Sequence, residues 1–69
     1  MGESLLRLDG VMARTGLPRS SVYAEIAAGR FPKPIPLEGH RVAWIESEIS
    51  AWINAKIEAG RAARERQHA

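Results

Sequence analysis

Residues 9–29 read DGVMARTGLPRSSVYAEIAAG, and two glycines divide the stretch into two short helices. Asp9 is a suitable N-cap, and Val11, Met12 and Thr15 follow at helical spacing. Gly16 supplies a left-handed stop and Leu17-Pro18 the turn. A second helix is expected from Arg19 to Ala28, with Gly29 ending it. Pro18 is tolerated at a helix start, where its missing N–H would have had no partner. Val22 and Ile26, four residues apart, share the inward face. Two helices joined by a glycine turn within some twenty residues form a helix-turn-helix pattern.

The pattern changes beyond Gly29. Pro32, Pro34 and Pro36 exclude a helix and interrupt any central strand. Ile35 and Leu37 alternate on one side of Glu38-Gly39-His40-Arg41, and Val42 and Trp44 alternate on the other. This reads as an irregular two-stranded hairpin with Gly39 at a positive φ. Two strands are not stable alone, so they must lie on the helices. A third helix starts near Glu46 or Ser47, its acids suiting the positive end of the helix dipole. Ile45, Ile49, Trp52, Ile53 and Ile57 form its apolar stripe. Gly60 is the expected stop, leaving Arg61 to Ala69 as a frayed extension or a charged tail. The expected organisation is one domain over 1–60 and a tail over 61–69, mainly α with a small β-hairpin.

With 69 residues, 45% of them hydrophobic, the chain has the size and composition of one small globular domain. No apolar run approaches a membrane span, and Met1-Gly2-Glu3-Ser4 lacks the features of a secretion signal. The absence of cysteine removes disulfides and zinc fingers and fits a cytoplasmic protein. An enzyme is not expected, because so small a domain can hardly enclose a water-excluded pocket. His40 and His68 have no metal-ligand spacing, Glu46 and Glu48 do not share a helix face, and no phosphate-binding glycine loop is present; no cofactor or metal is expected.

Charge is unevenly distributed. From Arg14 to Arg41 five basic residues (Arg14, Arg19, Arg30, Lys33, Arg41) face two acids (Glu25, Glu38), a local +3. From Ile45 onward four basic residues face four acids. A basic middle segment suggests a polyanionic partner. A helix-turn-helix gives that suggestion a geometry. The first helix braces the second, the second fits a DNA major groove, and the hairpin becomes a wing.

The string from Leu6 to Trp52 resembles the AlpA-like prophage regulators, which are similar to winged-helix excisionases and to the DNA-binding domains of MerR-type regulators. The matching pieces are Leu6-Arg7-Leu8, Thr15-Gly16-Leu17, Arg19-Ser20-Ser21-Val22-Tyr23, Ala28-Gly29-Arg30-Phe31-Pro32-Lys33-Pro34, and Trp44-Ile45-Glu46-Ser47-Glu48-Ile49 with Trp52. The resemblance implies a winged helix-turn-helix that binds double-stranded DNA and either regulates transcription or directs excision. Ala24 stands where that family commonly has a long basic or polar residue, and Pro18 where a serine cap is common. Both departures reduce the base contacts expected of this helix.

The residues expected at DNA are Arg19, Ser20, Ser21, Tyr23, Ala24, Arg30, Lys33, His40 and Arg41. Ser20 and Ser21 sit where helix amides and hydroxyls meet phosphates or base edges, with simple capping as the alternative. Arg19 reaches guanine or phosphate, or stays solvated. Tyr23 offers its hydroxyl to a phosphate while its ring packs. Arg30 and Lys33 flank Phe31 at the start of the wing, as phosphate contacts or as ordinary surface charges. Arg41, beside Gly39 and His40 at the hairpin tip, reaches a minor groove or its phosphates. Arg7 and Arg14 read as surface residues, and Trp44 and Trp52 as core. A second copy on a repeated site, a recombinase or RNA polymerase are the further partners expected. The rival readings are an architectural excisionase that bends DNA and a protein-interaction module that kept the fold without binding DNA.

Overall fold

The glycines set the direction of the chain. In the computed structural model, which describes residues 3–67, α1 spans Leu8–Thr15 and ends at Gly16 with φ 75°. The Gly16 amide donates to the Met12 carbonyl at 2.9 Å, the single-bond left-handed cap. The second helix, α2, spans Arg19–Ala27. Its end is a Schellman motif: Gly29 (φ 77°) donates to Ile26 and Arg30 donates to Glu25. The expected glycine stops therefore hold at both positions. Asp9, however, is not the cap of α1. Arg7 takes that position in extended geometry, and Asp9 lies inside the first turn, where it suits the helix dipole.

Three strands form the wing, not the two expected. Strand β1 (Leu5–Leu6) and strand β2 (Ile35–Pro36) both pair antiparallel with β3 (Val42–Ile45), giving the order β1-β3-β2. Leu5 lies opposite Ile45 and Leu6 opposite Trp44, while Ile35 lies opposite Ala43. Pro36 is tolerated because β2 is an edge strand. Between β2 and β3 the chain reverses at Gly39 (φ 71°) and His40 (φ 62°). The Leu37 amide donates to the Arg41 carbonyl, so the tip is the three-residue turn Glu38–His40, with two successive residues at positive φ.

The third helix, α3, follows β3 without a loop and spans Glu46–Gln67. It passes straight through Gly60, so the expected stop there is overturned. A glycine inside a helix costs about 1 kcal/mol, and the alanines and arginines around it supply enough propensity to offset that. Residues 61–67 are therefore helical and mostly exposed. Met1, Gly2, His68 and Ala69 lie outside the described residues, and with them the readings of an absent targeting signal and of His68.

The core is one cluster of Val11, Val22, Phe31, Trp44 and Ile49, each 6% exposed or less. Leu6, Leu8, Met12, Leu17, Ile26, Val42, Trp52 and Ile53 pack around it. Each helix contributes one fully buried anchor: Val11 from α1, Val22 from α2 and Ile49 from α3. The apolar stripe of α3 is used only as far as Ile53, and Ile57 is 45% exposed. The radius of gyration of 14.0 Å exceeds the ~11 Å of a compact chain of this length, because the end of α3 projects. Taken together, three helices and a small antiparallel sheet make this a winged helix-turn-helix.

Candidate nucleic-acid interface

The orientation of α2 against the wing is fixed by the short segment that joins them. Trp44 in β3 donates its indole N–H to the Pro32 carbonyl at 3.0 Å. Trp52 in α3 donates to the Arg30 carbonyl at 2.8 Å. Phe31 lies between, buried, with its ring edge-on to Trp52 at a centroid distance of 4.9 Å. Two indoles and one phenyl ring thus hold three consecutive residues. Both tryptophan N–H groups are satisfied, as burial of these side chains demands.

A cleft opens between the start of α1, the outer side of α2 and the wing tip. Arg7, Leu8, Asp9, Arg19, Tyr23, His40, Arg41 and Val42 line it. Arg41 is braced across the turn: its Nε donates to the Glu38 carbonyl at 3.0 Å. Tyr23 is 43% exposed and lines this space. Four of the residues expected at DNA, Arg19, Tyr23, His40 and Arg41, are thereby brought together from two elements. Ser20 and Ala24 are exposed on α2, and Ser21 is half-buried. Helix α2 starts at Pro18 with no side-chain cap, so Ser20 and Ser21 are not caps.

Arg30 and Lys33 do not join the cleft. Arg30 makes a two-pronged ion pair with Glu25, both contacts at 3.1 Å. The left-handed Gly29 turns the chain back and brings the two side chains together. Hydrogen bonds from Arg30 hold the Glu25 carboxyl below the ordinary glutamate range, and Glu25 holds the Arg30 guanidinium above its own. Lys33 lines a separate groove with Pro32, Pro34, Ile35, Ile45, Glu48 and Ala51. Arg14 binds across to α3, reaching Glu46 at 3.5 Å and Ser50 at 3.2 Å.

A family model described as Prophage CP4-57 regulatory protein (AlpA) matches residues 4–57. The chain belongs to this family of prophage regulatory proteins. The AlpA match runs from β1 through the packed part of α3 and takes in the whole cleft. A relative in Enterobacteria phage P4, "Uncharacterized protein ORF88", is 46% identical over 59 residues, covering 86% of this chain. The chain spans 66% of that relative's length. The DNA-binding transcriptional activator AlpA of Escherichia coli (strain K12) is 33% identical over 58 residues, covering 75% of this chain and 83% of the relative. No solved structure matches the chain.

Arg7 is the cleft residue that sequence reasoning set aside. It precedes α1, far in sequence from both α2 and the wing tip. Only the pairing of β1 with β3 carries it to the cleft, and its Nε donates to the Val42 carbonyl at 3.0 Å. The one available signal is its place within Leu6-Arg7-Leu8, an arginine between two inward leucines at the entry to α1.

Proposed function

We propose that this AlpA-family chain is a DNA-binding regulator of transcription. Helix α2 lies in the major groove, and the wing tip over residues 38–41 contacts the adjacent backbone or minor groove. The observation that carries this reading is the cleft itself: the cationic tip of the wing and the exposed side of α2 face one space. The name of the Escherichia coli relative supports it. Arg19, Ser20, Ser21, Tyr23 and Ala24 meet the groove from α2, and His40 and Arg41 meet it from the wing. Arg30 and Lys33 stay at the periphery, Arg30 because contact with a phosphate requires it to leave Glu25. Residues 1–60 form the binding domain, and 61–69 are a charged extension.

One module with Ala24 at the centre of its reading helix makes few base contacts, so useful specificity needs two copies on a repeated site or a second protein. Selection from a random duplex pool at near-physiological salt tests this. An enriched motif with a defined half-site spacing is expected. Retention of duplex without enrichment replaces the reading with architectural binding of the excisionase kind. Loss of all duplex binding leaves a protein-interaction module. Within the first outcome, Arg41→Ala weakens binding to every sequence and lowers the salt slope by about one unit. An unchanged slope removes the wing from the mechanism.

A further inference from the structure

The arginines of the folded body divide into two sets. Among the described residues, Arg14, Arg30 and Arg61 each have a carboxylate partner within 3.5 Å. Arg64 and Arg66, on the projecting end of α3, have none; within the packed body Arg7, Arg19 and Arg41 have none, and all three line the one cleft. Two of them are held in the same way. The Nε of Arg7 is tied to the Val42 carbonyl and that of Arg41 to the Glu38 carbonyl, each at 3.0 Å. Each tie consumes the inner donor of a guanidinium and leaves its outer two nitrogens for something else. The tie also removes part of the side-chain freedom that a binding arginine would otherwise lose.

We propose that this cleft is a clamp for a single backbone phosphate of duplex DNA, with Arg7 and Arg41 as its two fixed forks. This rests on the reading of α2 and the wing as DNA-binding elements. Arg19 and the Tyr23 hydroxyl approach from the α2 side. Asp9 is the one acid in the lining, so three guanidinium groups face one carboxylate. That excess of positive charge attracts an anion, and the forked geometry matches the two free oxygens of a phosphodiester. Arg7 is thus a positioning group for the wing as well as a ligand, since the same side chain fastens β3 and grips the phosphate.

The test uses the full chain and a short random-sequence duplex, with binding followed across a salt series. Arg7→Met is expected to lower the salt slope by about one unit and to weaken binding about tenfold, alike on all sequences. Arg7→Lys keeps the charge but loses the fork, so it retains the slope and loses part of the affinity. Arg14→Met, whose guanidinium is held by Glu46 and Ser50, leaves the slope unchanged. A thermal melt of each variant separates binding from folding. If Arg7→Met is unfolded, side-chain NMR of the wild-type protein replaces it: the Arg7 guanidinium signals shift on adding duplex. An unchanged slope in folded Arg7→Met, no shift in the wild type, or an equal slope loss in Arg14→Met overturns the clamp. If Arg19→Ala and Arg41→Ala lower the slope and Arg7→Met does not, the clamp fails and the DNA-binding reading stands. If the wild type retains no duplex at low salt, both fail.

Discussion

Trp52→Phe tests whether the joint between α2 and the wing is held as described. The substitution keeps an aromatic ring beside Phe31 and removes the indole N–H that reaches the Arg30 carbonyl at 2.8 Å. The freed carbonyl belongs to an exposed residue, so water replaces the lost donor and no buried orphan remains. The net loss is then that of an ordinary hydrogen bond, about 1 kcal/mol. Lys56 Nζ sits 5.3 Å from the Trp52 ring centroid, and the weaker phenyl face loses roughly another 0.5 kcal/mol. A total near 1.5 kcal/mol lowers Tm by roughly 6–12 °C for a domain of this size. Global stability of a chain this short is about 3–10 kcal/mol, so the variant remains folded at room temperature. Urea unfolding read by far-UV circular dichroism measures the loss, with Trp44 fluorescence as a second probe in the same sample. The two transitions should coincide, with an unchanged m value. A loss below about 0.5 kcal/mol would show that the N–H contact does not hold the joint. Duplex binding of the folded variant should also weaken, because Trp44 alone then fixes the segment. Unaltered binding would refute the link between this joint and the placement of α2.

Two further perturbations address the turn at the end of α2. Gly29→Ala places a side chain at φ 77° with no neighbour within 4 Å to clash, so backbone strain alone is expected, about 1–2 kcal/mol in chemical denaturation. Full retention of stability would contradict the left-handed cap. Glu25 has a lower pKa in the folded state, so its pairing with Arg30 stabilises the fold above the ordinary glutamate value and is lost as pH falls through the lower folded value. Glu25→Gln should therefore flatten that part of the acid limb of a stability-against-pH curve, and an acid limb identical to wild type would exclude the pair as a contributor.

Some of this structure was legible because it is local. Gly16 and Gly29 each end a helix through bonds spanning four to six residues, and such bonds leave a mark in the sequence. Trp44 announced itself by alternation with Val42. Strand β1 left no comparable mark. It is two residues long, and it exists because Ser4 accepts from the Glu46 amide and Leu5 faces Ile45, some forty positions away. Gly60 misled for the opposite reason: its local signal was real, but one glycine among strong helix formers is too weak a break to stop α3.

The candidate interface shows the same division more sharply. By charge count, Arg7, Arg14, Arg19, Arg30 and Arg41 are equivalent. Folding distinguishes them by giving two an acidic partner and leaving three without. Arg30 acquires its partner through a backbone reversal that brings a residue five positions back into contact, a spacing that no helix face provides. Arg7 enters the cleft only because β1 joins the sheet. A basic segment in the sequence therefore points to a polyanionic partner, while the carboxylates already engaged decide which cations remain to meet it. On that ground the proposed phosphate site rests on the three arginines of the packed body that have no carboxylate partner, rather than on the most basic stretch of sequence.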